Sequence, residues 1–129
     1  MRFLLDTHVF LWAITDNPKL SEQHRALYES PTSELFLSIA SLWEVTIKVG
    51  LGKLALPRPA AAYLTRQMDK NQVRLLPIQP AHLNELENLP PLHRDPFDRL
   101  LAAQARVEKM PILTGDKAVS ELTPAHLTR

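Results

Sequence analysis

Short apolar runs and longer amphipathic stretches alternate along this chain. Residues 3–5 are Phe-Leu-Leu, a short run that predicts a buried strand, whereas the apolar positions 39, 42, 43 and 47 recur with a helical period. Applied throughout, this pattern predicts strands at residues 2–5, 34–37, 73–76 and 112–114. It predicts helices at residues 8–14, 21–29, 39–49, 60–70, 80–88 and 96–109, and a last helical turn or two at 117–122.

Strands that alternate with helices favour an α/β fold with a mostly parallel sheet. The 129 residues suffice for one hydrophobic core, so we expect a single domain over residues 1–129. In parallel sheets, ligands bind beyond the carboxyl ends of the strands. Asp6 follows the first predicted strand and Asp116 follows the last, so we expect both at this edge.

Composition excludes some kinds of site, and the charge is unevenly distributed. The chain has no cysteine, which rules out disulfides and thiolate metal sites and fits a reducing cytoplasm. No apolar run is long enough for a membrane span, and the N-terminus lacks a signal-peptide core, so we expect no membrane partner. Residues 45–84 carry a net charge of +5 and the remainder −4. A basic segment beside an acidic centre could steer a polyanion, but it could equally be a solvated helix face.

Four carboxylates far apart in sequence could meet at one edge of the sheet: Asp6, Glu44, Asp98 and Asp116. Each also has a local explanation. Asp6 and Asp116 are suited to cap the helices that follow them. Glu44 could complete a capping box with Ser41, or pair with Lys48 one helical turn later.

The segment around Asp98 reads as the start of a helix. Asp95 is suited to the N-cap, Pro96 to the first helical position, and Asp98 could then simply complement the helix dipole. However, Asp98, Ala102 and Ala105 share one helix face, and the two alanines would let that face approach the sheet closely. The dipole explanation and a site at the strand ends therefore both stay open.

Taken together, the acids favour a metal site. Clustered carboxylates repel one another, and a hard divalent cation such as Mg²⁺ relieves that repulsion while keeping water ligands for hydrolysis. The histidines show no zinc-ligand spacing, and His93 is expected at the surface, where it could contact substrate. Two alternatives stay open: a receiver-like module that carries phosphate on an aspartate, although Asp6 stands alone after the first strand, and a non-catalytic module that binds a partner.

Five sequence blocks, in this order and spacing, resemble the PIN-domain family, and more narrowly its VapC-type toxins of prokaryotic toxin–antitoxin modules. They are LLDTH at 4–8, SLWE at 41–44, GKL at 52–54, LHRDPFDRLLAAQA at 92–105 and LTGD at 113–116. The resemblance implies a three-layer α/β/α sandwich with a short, mostly parallel sheet. It also implies a Mg²⁺- or Mn²⁺-dependent endoribonuclease that hydrolyses RNA with metal-activated water and arrests translation.

The resemblance further assigns roles by position. Asp6 and Asp98 match the principal metal ligands, Glu44 would bind a second ion or position water, and Asp116 would act mostly through water. Thr7 and Thr114 match hydroxyl positions that border the site, while Asp95 is kept as a helix cap. Relatives usually form homodimers and are inhibited by a cognate antitoxin. They commonly end in a strand, and residues 123–129 are a poor match to one.

Overall fold

The computed structural model describes residues 1–124. Within these residues, four strands and seven helices follow one another in the order that the sequence predicts, and every end lies within one residue of its predicted position. The strands are β1 (Arg2–Leu5), β2 (Glu34–Ser38), β3 (Val73–Leu76) and β4 (Ile112–Leu113). The helices are α1 (Thr7–Ile14), α2 (Glu22–Glu29), α3 (Ile39–Gly50), α4 (Ala60–Asn71), α5 (Pro80–Glu87), α6 (Pro96–Glu108) and α7 (Lys117–Leu122).

The strands form one parallel sheet in the order β3-β2-β1-β4. In this register Leu5 lies beside Leu37 on one side and beside Leu113 on the other. The residues that follow these positions therefore emerge together at the carboxyl edge of the sheet. This register brings Asp6 next to Thr114, although the two are 108 residues apart.

Helices cover both faces of the sheet, which confirms the expected three-layer sandwich. Because side chains alternate along a strand, Phe3 and Leu5 pack into one hydrophobic cluster with α1, α3 and α4, while Leu4 packs into another. That second cluster includes Leu101 and Ala105 of α6 and Val119 of α7. The chain therefore has an apolar layer on each side of the sheet.

The edge of the sheet and the character of the helices test two of the predictions. Among the described residues β4 is an edge of the sheet, Thr123 and Pro124 are not in a strand, and the rest of the family's expected last strand falls on 125–129, outside the described residues. No helix within residues 1–124 has the length and apolar character needed to cross a membrane.

Candidate active site

A cleft of about 370 Å³ opens at the carboxyl edge of the sheet, and all four predicted acids line it. Each acid comes from a different segment: the end of β1, the middle of α3, the first turn of α6 and the loop after β4. The lining residues are Asp6, Thr7, His8, Leu11, Glu44, Val45, Lys48, Lys53, Leu54, Asp95, Asp98 and Asp116. Parallel strand register therefore gathers carboxylates that are separated by dozens of residues in sequence.

Asp6 is the most deeply buried of these acids, with 2% of the residue exposed. One carboxylate oxygen accepts a 2.7 Å hydrogen bond from the Thr7 backbone N–H, so Asp6 also caps α1. The other oxygen accepts from the Thr114 hydroxyl at 2.7 Å. Burial raises the pKa of Asp6 and the charge of Glu44 adds to the rise, while His8 and the two hydrogen bonds act in the opposite direction.

Glu44 is buried on α3 and held from two sides. Its Oε1 accepts from the Thr7 hydroxyl at 2.8 Å, and its Oε2 accepts from Lys48 Nζ at 2.9 Å. The predicted ion pair with Lys48 is therefore present, and the hydrogen bond to Glu44 raises the pKa of Lys48.

The alternative of a capping box between Ser41 and Glu44 is wrong, because the cap of α3 is Ser38, three residues earlier. Ser41 instead lies inside the helix, with its hydroxyl 2.8 Å from that of Thr7. A hydroxyl has one proton to donate, so when Thr7 donates to Glu44 the bond between the two hydroxyls is donated by Ser41. These three side chains form a hydrogen-bonded chain that joins α1 to α3.

Asp98 occupies the third position of α6, and Asp95 caps this helix by accepting from the backbone N–H groups of Phe97 and Asp98. His93 Nε2 lies 2.9 Å from Asp98 Oδ2. Burial raises the pKa of Asp98 to about 6, and the charges of Asp6 and Asp95 contribute to the rise against the effect of His93. Asp98 is therefore influenced electrostatically by two other acids of the cleft.

Asp116 caps α7, since its Oδ1 accepts from the Ala118 backbone N–H at 2.9 Å. Its own backbone N–H donates to the Thr114 hydroxyl, which in turn donates to Asp6. The cap explanation thus holds locally for Asp6, Asp95 and Asp116. It does not exclude a site, because all three also line the cleft.

The donor set suits a hard divalent cation, because carboxylate oxygens that raise one another's pKa are relieved by a shared positive charge. Among residues 1–124, however, no three carboxylate or imidazole groups already surround a common ligand position. The carboxylates are engaged elsewhere, Glu44 by Lys48, Asp98 by His93 and Asp6 by Thr114. A carboxylate has about four lone-pair sites, so an ion can bind these groups while the existing contacts remain.

Two histidines lie closer to the acids than the sequence indicates. His93 was expected at the surface, but its imidazole contacts Asp98 from the loop before α6. His8 lines the cleft, with Nδ1 3.4 Å from Asp6 Oδ2. Neither contact joins residues at a helical or strand period, so the spacing of histidines in the sequence does not reveal them. The adjacency of His8 to the LLDT run was the available signal.

The fold and the cleft define a class, namely parallel α/β proteins with a carboxylate-lined pocket at the carboxyl edge of the sheet. A family model described as PIN domain matches residues 3–123. The chain therefore belongs to the PIN-domain family, which confirms the resemblance noted from the sequence.

The individual proteins that the chain resembles share only part of its length or a small fraction of its residues. The chain is 36% identical over 58 residues to Ribonuclease VapC16 of Mycobacterium tuberculosis (strain ATCC 25618 / H37Rv), a match that covers 45% of this chain and only 41% of that relative's length. It is similar in fold to VapBC2 from Rickettsia felis, solved bound to a DNA fragment from its promoter, with a TM-score of 0.70, 16% identity, and coverage of 99% of this chain and 96% of that one.

Two further solved structures share the fold. VapBC-1 from nontypeable Haemophilus influenzae superposes with a TM-score of 0.63 and 16% identity, covering 95% of this chain and 96% of that one. FitAcB from Neisseria gonorrhoeae gives a TM-score of 0.63 and 18% identity, with 94% of both chains covered. At such identities these likenesses establish the fold alone.

Proposed function

We propose that this protein is a metal-dependent endoribonuclease toxin of a type II toxin–antitoxin system. The observation that carries the proposal is the meeting of Asp6, Glu44, Asp98 and Asp116 in one cleft. Membership of the PIN-domain family and the similarity to a ribonuclease support the same reaction. RNA is the proposed substrate, and phosphodiester hydrolysis that arrests translation is the proposed outcome, so the protein would act in the cytoplasm.

Mg²⁺ or Mn²⁺ is the proposed cofactor. Asp6 and Asp98 would be its principal ligands, with Glu44 and Asp116 binding a second ion or orienting water. When bound, such an ion lowers the pKa of a water molecule and stabilises charge on the phosphate oxygens. Among the described residues that line the cleft there is no serine or cysteine, and the Thr7 hydroxyl is bonded to Glu44, which favours attack by water.

The lysines of the cleft would hold the substrate. Lys48 and Lys53 line the same pocket as the acids, and among residues 1–124 the Lys53 ammonium has no ion-pair partner. An acidic cleft alone would repel RNA, so these two charges would attract the phosphate backbone and orient it beside the carboxylates. They begin the basic segment that the sequence places between residues 45 and 84.

We further propose a cognate antitoxin as the inhibitor and a homodimer as the free form. The similarity in fold to VapBC and FitAcB structures supports the first partner. A basic side chain of the antitoxin would be attracted by the same carboxylates that bind the metal. Covering the cleft in this way would exclude RNA and the ion together.

Cleavage of RNA by the purified protein with Mg²⁺ or Mn²⁺, and its loss on chelation, test the reaction. Substituting a partner of a metal ligand typically costs about 10- to 100-fold in metal affinity or activity, so Asp98→Asn, which alters a direct ligand, should cost about 100-fold or more. Asp69→Asn is the matched control, because Asp69 is exposed on α4, outside the cleft lining. Full activity in Asp98→Asn, with chelation still inhibiting, would remove Asp98 from the site.

A further inference from the structure

His8 connects two segments of the cleft that are far apart in sequence. The Gly115 backbone N–H donates a 3.0 Å hydrogen bond to His8 Nε2 across 107 residues of chain. Because Nε2 accepts this bond, the proton of the neutral ring lies on Nδ1, the nitrogen 3.4 Å from Asp6 Oδ2. One imidazole therefore spans from the end of β1 to the loop after β4.

The surroundings of the ring keep it in this place. Its other neighbour is Trp12, with ring centroids 4.7 Å apart and planes tilted by 60°. A Cβ on Gly115 would lie 3.4 Å from His8 Nε2 and 3.6 Å from the Trp12 ring, so the Gly115 backbone packs at van der Waals distance from both rings. Packing against Trp12 on one side and Gly115 on the other therefore holds the imidazole in place.

The loop that His8 holds is the one that carries Asp116. On the far side of Gly115, the Asp116 backbone N–H donates to the Thr114 hydroxyl, which itself donates to Asp6. Residues 114–116 are therefore attached to the start of α1 through two independent contacts, one through Thr114 and one through His8. Without the second contact, the Gly115 N–H loses its acceptor, and the loop is attached to the start of α1 through Thr114 alone.

We propose that His8 is a positioning residue, which sets the location of the Asp116 carboxylate relative to Asp6 by accepting the Gly115 hydrogen bond. The consequence for catalysis rests on the proposed function, whereas the contact itself does not. His8→Phe keeps an aromatic ring beside Trp12 but removes the acceptor. His8→Gln places an amide oxygen near the position of Nε2 and so should restore it.

The contact can be measured directly by NMR on protein labelled with ¹⁵N-glycine and ¹⁵N-histidine. The chain has three glycines, so the Gly50 and Gly52 amides serve as internal references for Gly115. In the wild type we expect a scalar coupling across the hydrogen bond between Gly115 N and His8 Nε2. The Gly115 amide should shift and exchange faster in His8→Phe, and both changes should be smaller in His8→Gln.

The effect on the site is tested by Mg²⁺ calorimetry and by the Mg²⁺ dependence of RNA cleavage. Loss of an outer contact to a metal ligand typically costs about 10- to 100-fold in metal affinity, so we expect half-saturation in His8→Phe at about tenfold higher Mg²⁺ or more. His8→Gln should stay within about threefold of the wild type. His24→Phe on α2, outside the cleft lining, controls for the loss of an imidazole.

Unchanged Mg²⁺ affinity in a folded His8→Phe variant would overturn the proposal, and so would a His8→Gln variant as impaired as His8→Phe. If His8→Phe does not fold, the wild-type coupling still decides, because its absence removes the hydrogen bond. A wild-type protein that binds Mg²⁺ but cleaves no RNA would refute the proposed function while leaving the NMR and calorimetric tests of His8 valid.

Discussion

The acids of the cleft should make the metal-free protein less stable than it could be, and Asp98→Asn tests this. Burial and the charges of Asp6 and Asp95 raise the pKa of Asp98 to about 6 from an ordinary 3.8. The folded state therefore disfavours the ionised carboxylate. An amide in its place has the same shape but no charge, so we expect the substitution to stabilise the metal-free fold at pH 8.

The size of the effect follows from the two pKa values. At 1.36 kcal/mol per pH unit, a rise from 3.8 to about 6 corresponds to roughly 3 kcal/mol of destabilisation above pH 6. This value already includes the opposing 2.9 Å contact with His93, so nothing further is subtracted for that contact. The expected gain at pH 8 is therefore about 3 kcal/mol, or roughly 9 to 15 °C in Tm for a chain of this size.

The same groups determine whether the folded state gains or loses stability as the pH falls. A carboxyl whose folded pKa is raised binds more protons in the folded than in the unfolded state, so acidification from pH 8 stabilises the fold. By pH 5.5 about 1 kcal/mol of the cost at Asp98 should be recovered. The raised pKa values of Asp6 and His93 act in the same direction, since the stability that His93 contributes is lost as pH rises through its folded pKa.

Urea unfolding in EDTA at pH 8 and pH 5.5 measures both quantities. We expect the wild type to be more stable at pH 5.5, and Asp98→Asn to be the more stable protein at pH 8 with a weaker pH dependence. The exposed control Asp69→Asn should change the free energy of unfolding by less than about 0.5 kcal/mol. A folded Asp98→Asn protein that is less stable than the wild type at pH 8 would refute the argument from charge burial.

Three further outcomes are expected. The proposed site would bind Mg²⁺ only in the folded state and in competition with protons, so Mg²⁺ at ten times its Kd should stabilise the fold by about 1.4 kcal/mol at pH 8. Thermal scans should show a larger rise in Tm at pH 8 than at pH 5.5. Tyr28→Phe should be neutral or stabilising by up to about 1 kcal/mol in urea unfolding, since the Tyr28 hydroxyl is buried without a hydrogen-bonding partner among residues 1–124 and burial raises its pKa to about 12. Ala105→Leu should destabilise by about 1–3 kcal/mol in the same assay, because Ala105 is fully buried where α6 packs beside Leu4.

The sequence could predict the sheet and the meeting of the acids because both depend on local patterns. Short apolar runs mark the strands. Helical connections between successive strands are typical of parallel pairs, since parallel strands need a long crossover. Once the sheet is parallel, Asp6 and Asp116 must emerge at the same edge. The small residues Ala102 and Ala105, both fully buried, likewise indicated that α6 packs closely against the core beneath Asp98.

Contacts that depend on tertiary register could not be predicted in this way. The S-x-x-E pattern at residues 41–44 is a valid capping signal, but the chain enters α3 three residues earlier, at Ser38, and the packing of α1 gives the Ser41 hydroxyl a different partner. The bond between Gly115 and His8 depends on which residues of β1 and β4 lie side by side. The hydrophobic period of a single segment does not indicate which strand lies beside it or in which register.

Capping and site formation need not be competing explanations for these acids, since one carboxylate has two oxygens. Asp6 caps α1 through Oδ1, and this fixes its plane so that Oδ2 points to Thr114 at the carboxyl edge of the sheet. Asp116 similarly caps α7 through one oxygen while lining the cleft. A side chain held at one oxygen loses less conformational freedom when the other binds a ligand. Helix caps placed directly after strands are therefore suited to become metal ligands, and this explains why each residue read alone looked merely structural.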